Sequence, residues 1–287
     1  MRRAIALAIA AGLLVVACGD DGPRAAGAPD LDYIGREVDS GFRPDTGGFA
    51  FPNFDHVTYR ERFTIDDLLD TVGGGPRVCR DAVTDPCVPT DEAQIFIDTV
   101  ERSRRAGHCE GMVVLAAVRH DWGLAPATAQ LSPEPRVIDA IIRAFSTIFL
   151  PEVQAEARNW VSRSISDDIA HLAEALDDER LDYGLGLYLP EGGHEVLPYA
   201  IEYPEPGHAR VMVYDPNWPR IERWVDVDLE AETWRFSFAG DDPDADINAW
   251  TGDRSMFELN SISARADALA ARGVDLRPPP GTALASS

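Results

Sequence analysis

The chain has 287 residues, with 49 Asp and Glu against 26 Lys and Arg, for a formal net charge of −23. Phosphates would be repelled over most of such a surface, which excludes nucleic acid as a partner. The charge carries no information about the fold.

Met1-Arg2-Arg3 precedes an apolar run over 4–17 that ends in Val15-Val16-Ala17-Cys18. A basic start, an apolar stretch too short to span a bilayer and small residues at its end describe an export signal. Cysteine directly after Val-Val-Ala resembles the bacterial lipobox. That resemblance implies a signal segment 1–18, a lipidated Cys18 as the new N-terminus, and membrane attachment without a transmembrane helix. An ordinary signal peptide cleaved nearby is the alternative. Residues 19–45 are rich in Gly, Pro, Ala and Asp without apolar periodicity, which predicts a flexible tether. Residues 276–287, opening on Arg277-Pro278-Pro279-Pro280-Gly281, are expected to be a disordered tail. Residues 46–275, about 230 of them, suffice for one domain with a substantial core.

Gly48-Phe49-Ala50-Phe51-Pro52-Asn53-Phe54 is aromatic and turn-like. Core filling is its plain reading, with Asn53 as a polar group near a site the other. Thr64 followed by Asp67 marks a capped short helix that stops at Gly73-Gly74-Gly75. Cys79 and Cys87 share one loop, and in an exported protein a local disulfide is their natural pairing. With four cysteines in all, a lipidated Cys18 and that disulfide leave Cys109 over, which points to a reactive thiol or an intermolecular bridge.

Thr90-Asp91-Glu92 opens a helix with acids in its first turn and Arg102, Arg104 and Arg105 in its last, matching the helix dipole. Gly107 ends it. Met112, Val113, Leu115, Ala116 and Ala117 then cover nearly every side of the next helix, which is therefore expected to be buried. Helical spacing continues over 136–160, with Pro151 starting a fresh segment, and Ser166-Asp167-Asp168 is read as the cap of a helix reaching Leu176. From 183 onward the pattern is strand-like, at 183–189, 194–203, 209–215, 221–229 and 232–238. Helices followed by antiparallel strands predict an α+β domain. In the loop 241–248, Asp241, Asp242, Asp244, Asp246 and Asn248 have partial calcium-loop spacing. The glycine and glutamate such a loop needs are missing, so a solvated acidic turn is the preferred reading.

Three segments carry the chemistry: Gly107-His108-Cys109-Glu110-Gly111-Met112, Gly192-Gly193-His194-Glu195, and Tyr214-Asp215-Pro216-Asn217-Trp218-Pro219. A cysteine at a helix start has its thiolate favoured by the dipole and by a nearby imidazolium. Gly107 and Gly111 would let substrate backbone approach. His194 would serve as base and then acid. A turn at Pro204-Glu205-Pro206-Gly207 places His194 opposite residues 215–217, so Asp215 or Asn217 could orient the imidazole, Asp215 being favoured. Trp218 could shield the His–Asp pair, line a groove or simply pack. Glu110 would oppose a thiolate unless it points away. His108 is read as a supporting or surface group rather than a catalytic one. His56, His120, His171 and His208 lack metal-ligand spacing, so no metal and no cofactor is expected.

The order Cys109, His194, Asp215, on a buried helix and then a sheet, resembles the papain-like cysteine peptidase superfamily. The Cys-to-His gap is more similar to its bacterial double-glycine leader peptidase branch than to papain. The same segments resemble a group of exported bacterial proteins of uncertain function. The resemblance covers about 107–117 and 192–219. It implies a papain-like fold, a Cys109–His194–Asp215 triad, an acyl-enzyme and a peptide or amide substrate. It departs at Ser103, which stands where those enzymes carry an oxyanion-hole glutamine. The expected protein is a lipid-anchored, exported cysteine hydrolase. The rival class is a catalytically inactive domain of the same fold that binds or adheres at the cell surface. A thiol redox protein is disfavoured because no Cys-x-x-Cys is present.

Overall fold

A computed structural model describes residues 37–81, 86–160, 162–190, 192–240 and 245–274, so the segment 1–18 expected to be an export signal, with Cys18, and the tail expected over 276–287 lie outside the described residues. The chain enters as a three-residue strand β1 (Glu37–Asp39) and a single turn α1 (Pro44–Gly47). It continues through α2 (Ile65–Val72), α3 (Asp91–Ser103), α4 (Cys109–Asp121), α5 (Pro135–Ser146), α6 (Pro151–Trp160) and α7 (Ile165–Asp177). Strands β2 (Tyr183–Leu189), β3 (Gly192–Glu202), β4 (His208–Tyr214), β5 (Glu222–Asp228), β6 (Thr233–Phe236), β7 (Trp250–Asp253) and β8 (Phe257–Ser261) follow, and α8 (Ser263–Ala270) closes the described chain. The architecture is α+β: helices against a curled antiparallel sheet of order β7-β6-β5-β4-β3-β2-β8, with β1 also paired to β3.

Local sequence explains most element boundaries. Thr64 and Asp67 form a reciprocal capping box at α2. The cap of α7 is Ser164, two residues before the expected Ser166, because its partner three residues on is Asp167, whose side chain returns the bond. Ser166 instead donates its hydroxyl to the Leu229 carbonyl. The expected disulfide joins Cys79 to Cys87.

The fold begins earlier than the sequence suggested. Residues 37–45 belong to the fold: Val38 pairs with Ile201, the Ser40 hydroxyl donates to the Tyr199 carbonyl, and Phe42 is fully buried. A strand of Glu-Val-Asp is too short and polar to show a period; it exists because β3 offers it a partner.

α4 is the buried centre, packed between α5 and β3. It is apolar on nearly all sides, and every residue from Gly111 to Val118 is buried. A Cβ on Gly111 would stand 2.2 Å from the Ile141 carbonyl oxygen and 3.0 Å from Phe145. Gly111→Ala should therefore push α4 and α5 apart and cost about 1–3 kcal/mol, measured by urea unfolding; an unchanged midpoint would show that the helices slide past each other freely.

Candidate active site

The nucleophile candidate sits where α3 and α4 meet. Gly107 has φ +130, a conformation open to glycine, and turns the chain so that α4 begins at Cys109. No side chain caps that helix, which leaves the first amides of α4 without a side-chain cap beside the thiol. Cys109 is half-buried and is the free cysteine among the described residues.

β3 brings the histidine. It outruns β4: residues 192–196 pair with β2, whereas pairing with β4 begins at Leu197–Tyr214. Beyond Tyr214 the chain leaves the sheet, and the loop that follows lies beside His194. The register shifts between Pro198 and Ala200, which suits a residue with no N–H to give the ladder. His194 Nε2 lies 2.7 Å from Asp215 Oδ1. The Asn217 side-chain amide is 3.4 Å from the same nitrogen, and its backbone N–H donates to Asp215 Oδ1 over 2.8 Å. With Nε2 engaged by the carboxylate, Nδ1 is left for the thiol of Cys109, which interacts with this imidazole. Cys109, His194, Asp215 and Asn217 are thus brought together, with Asp215 as the nearer imidazole partner.

A fifth member was not singled out in the sequence. Arg223 on β5 is 1% exposed, and its Nε lies 3.1 Å from Asp215 Oδ2. Its signal was there: in Glu222–Asp228 the buried positions alternate as Arg223, Val225 and Val227, so an arginine occupies an inward position. Its guanidinium packs 4.9 Å from the Trp218 ring centroid and 5.2 Å from that of Phe236. Trp218 therefore lies over the arginine. The rings nearest His194 are those of Phe236 and Phe238.

The electrostatics follow from this row. Burial alone would lower the basicity of His194, but the Asp215 carboxylate and the Cys109 sulfur outweigh it and hold the ring at about 10. A row results in which Arg223, Asp215 and His194 follow one another, with the Cys109 sulfur at its end.

Glu110, which flanks Cys109, is buried. Its carboxylate is bound to Arg265 of α8, which also donates to Thr147 Oγ1 over 2.8 Å. Glu195 lies in the same interior, with Asn260 donating to its Oε2 over 2.9 Å. Burial raises the pKa of both carboxyls, against the pull of Arg265. His108 is buried, stacked on Phe54 at 4.4 Å, with Nδ1 2.7 Å from the Phe54 carbonyl. Burial pushes it down to about 4, so it is neutral, Nδ1–H donating and Nε2 facing Arg104.

Gly107 and Gly111 do not serve the substrate access expected of them. The space beside Gly107 is filled by Asn53, and Gly111 faces α5. Among the described residues, no group of His, Cys, Asp and Glu is arranged to hold a metal. In the acidic loop, Asp246 accepts from Ser237 Oγ and Asn248 N; residues 241–244 lie outside the described residues. No helix among the described residues is long and apolar enough to cross a membrane. Comparison with known protein families, curated proteins and solved structures finds no match to this chain.

Proposed function

We propose that this protein is a papain-like cysteine hydrolase acting on a peptide or amide bond, exported and lipid-anchored through Cys18. One observation carries the reading: a free cysteine at the uncapped start of a buried helix lies against an imidazole whose other nitrogen is held by a buried, arginine-paired aspartate. In the proposed reaction His194 Nδ1 takes the thiol proton and the Cys109 sulfur attacks the scissile carbonyl. The developing oxyanion lies near the first-turn amides of α4, where the dipole favours negative charge. The imidazolium then gives its proton to the leaving amine. Water, deprotonated by the same ring, releases the acid from the thioester and restores the thiol. Asp215 keeps the ring oriented and cationic, and Arg223 holds the other oxygen of Asp215 in place.

Iodoacetamide alkylation of the full-length protein, mapped to the Cys109 peptide by mass spectrometry, tests the reading. The apparent thiol midpoint is expected well below the ordinary value of about 8.5, and His194→Ala should return it there. A two-unit return would cut the rate at pH 6 about 100-fold. Because His194 must be protonated to release the amine, turnover should fall as pH rises through about 10. An ordinary thiol indifferent to His194 would remove the hydrolase reading. The second reading, a binding or adhesion domain, would then stand; Ser103 in place of the oxyanion glutamine favours it.

A further inference from the structure

We propose that Asn53 is a positioning residue of this site, a strut that fixes the helix carrying Cys109 relative to the loop carrying Asp215 and Asn217. The inference rests on the hydrolase reading above. It starts from the two ends of one side chain. Asn53 Oδ1 accepts from the backbone N–H of His108 over 2.8 Å and from that of Phe54 over 2.9 Å. Two N–H donors can only be met by an oxygen, so the orientation of the amide is decided by its partners. The opposite end, Nδ2, therefore faces Asn217 and donates to its Oδ1 over 3.1 Å. The backbone of Asn53 makes a third tie, its N–H donating to the Pro216 carbonyl over 2.7 Å.

These contacts fall at telling places. His108 immediately precedes the nucleophile, and Pro216 and Asn217 immediately follow Asp215. One residue, from a segment 56 positions upstream of Cys109 by its numbering, thus joins the two halves of the site. Asn217 passes the constraint on: its backbone N–H holds Asp215 Oδ1, and its side-chain amide lies beside His194 Nε2. Gly107 completes the fit, since a Cβ there would stand 2.8 Å from Asn53 Nδ2. The backbone at Gly107 needs φ +130 and the space beside it is already taken. Below, the neutral His108 ring is locked between the Phe54 carbonyl and Arg104, so the seat of the strut does not change charge near neutral pH.

A strut of this kind acts through geometry that a thiolate–imidazolium pair feels and a merely folded protein does not. The test is the pH profile of Cys109 alkylation in the full-length protein, in the unsubstituted chain, Asn53→Ala, Asn217→Ala and the double variant. Loss of the strut should move the thiol midpoint upward by about one pH unit and slow alkylation at pH 6 about tenfold, the scale set by one hydrogen bond. Because the two residues act in series, the double variant should resemble the more affected single one. Circular dichroism at the assay temperature checks that each variant is folded. If Asn53→Ala does not fold, Asn217→Ala cuts the same link while leaving the seat at His108 untouched, and the same upward shift is expected. A depressed midpoint in the unsubstituted protein that neither variant moves, or effects that multiply in full, would overturn the role of Asn53 alone. An ordinary midpoint in the unsubstituted protein would overturn the hydrolase reading and this inference with it.

Discussion

Asp215→Ala is expected to abolish the reactivity of Cys109 at pH 6 and to destabilise the fold, for two separable reasons. The first is electrostatic. Burial by itself opposes protonation of His194 and the neighbouring Asp215 carboxylate reverses that, so without it the ring stays neutral and the thiolate loses its partner. Turnover should fall by about 10²–10⁴, the range for an acid–base group left without its orienting carboxylate. The second is structural. Arg223, 1% exposed, would keep a buried charge without the carboxylate 3.1 Å away, and breaking such a pair costs about 3–5 kcal/mol. Asp215→Asn separates the two in part, because its one amide oxygen can still accept from Arg223 Nε, although its NH2 then meets the Asn217 N–H. It should lose reactivity as fully while losing less stability. The pH dependence gives the sign. His194 in the folded protein is raised to about 10 from about 6.5 unfolded. Its contribution is therefore fully present below pH 6.5 and lost as pH rises through 10. Urea unfolding at pH 6, 8 and 10 should show that decline in the unsubstituted protein and a flatter profile in Asp215→Asn. Equal slopes in the two proteins would mean that the pair is not ionised as described.

The way these residues meet shows what a single sequence can and cannot reveal. Cys109, His194, Asp215 and Asn217 were legible because each rests on local regularity: an apolar helix after Gly107, and a hairpin whose turn at 204–207 sets the register. The five strands expected between 183 and 238 are all present, the first with the same bounds and the others displaced by one or two residues at their ends. Their alternation is real, since β4 buries Ala209, Val211 and Val213. β1, β7, β8 and α8 escaped notice for a different reason. Trp250–Asp253 and Phe257–Ser261 are short and partly polar, and they are strands because β6 and β2 stand beside them. Arg223 escaped notice, and Asn53 could be read only as core filling or as a polar group near a site, because their partners are distant in the chain. An inward arginine can be read from the alternation of β5, but its carboxylate cannot. Asn53 lies in an aromatic turn whose apolar neighbours Phe49, Phe51 and Phe54 are core; that it faces Asn217 is a fact of tertiary packing alone.

The same distance problem hides the second large effect, expected for Arg265→Met. Arg265 is fully buried in α8, 155 residues beyond Glu110. It is the cation serving an interior that holds both Glu110 and Glu195, each of whose pKa it lowers against the burial that raises it. Methionine would match the aliphatic stem but leave the Glu110 carboxyl and the Thr147 hydroxyl without this donor, and Glu195 without its nearby cation. Removing one partner of a buried pair costs about 3–5 kcal/mol, and the cost should depend on pH in a definite direction. A carboxyl whose folded pKa lies above its unfolded value binds more protons folded than unfolded, so its stability falls as pH rises past the usual carboxylate range. Arg265→Met raises both folded values further. Its penalty, read from urea midpoints, should accordingly be largest near pH 8 and shrink toward pH 5, where the carboxyls can take up protons. Adding Glu110→Gln should recover much of the loss at pH 8, since one of the two orphaned charges is then gone. A penalty equal at pH 5 and pH 8 would show that the carboxyls are neutral throughout, and Arg265 would then matter for packing rather than for balancing the charge of Glu110.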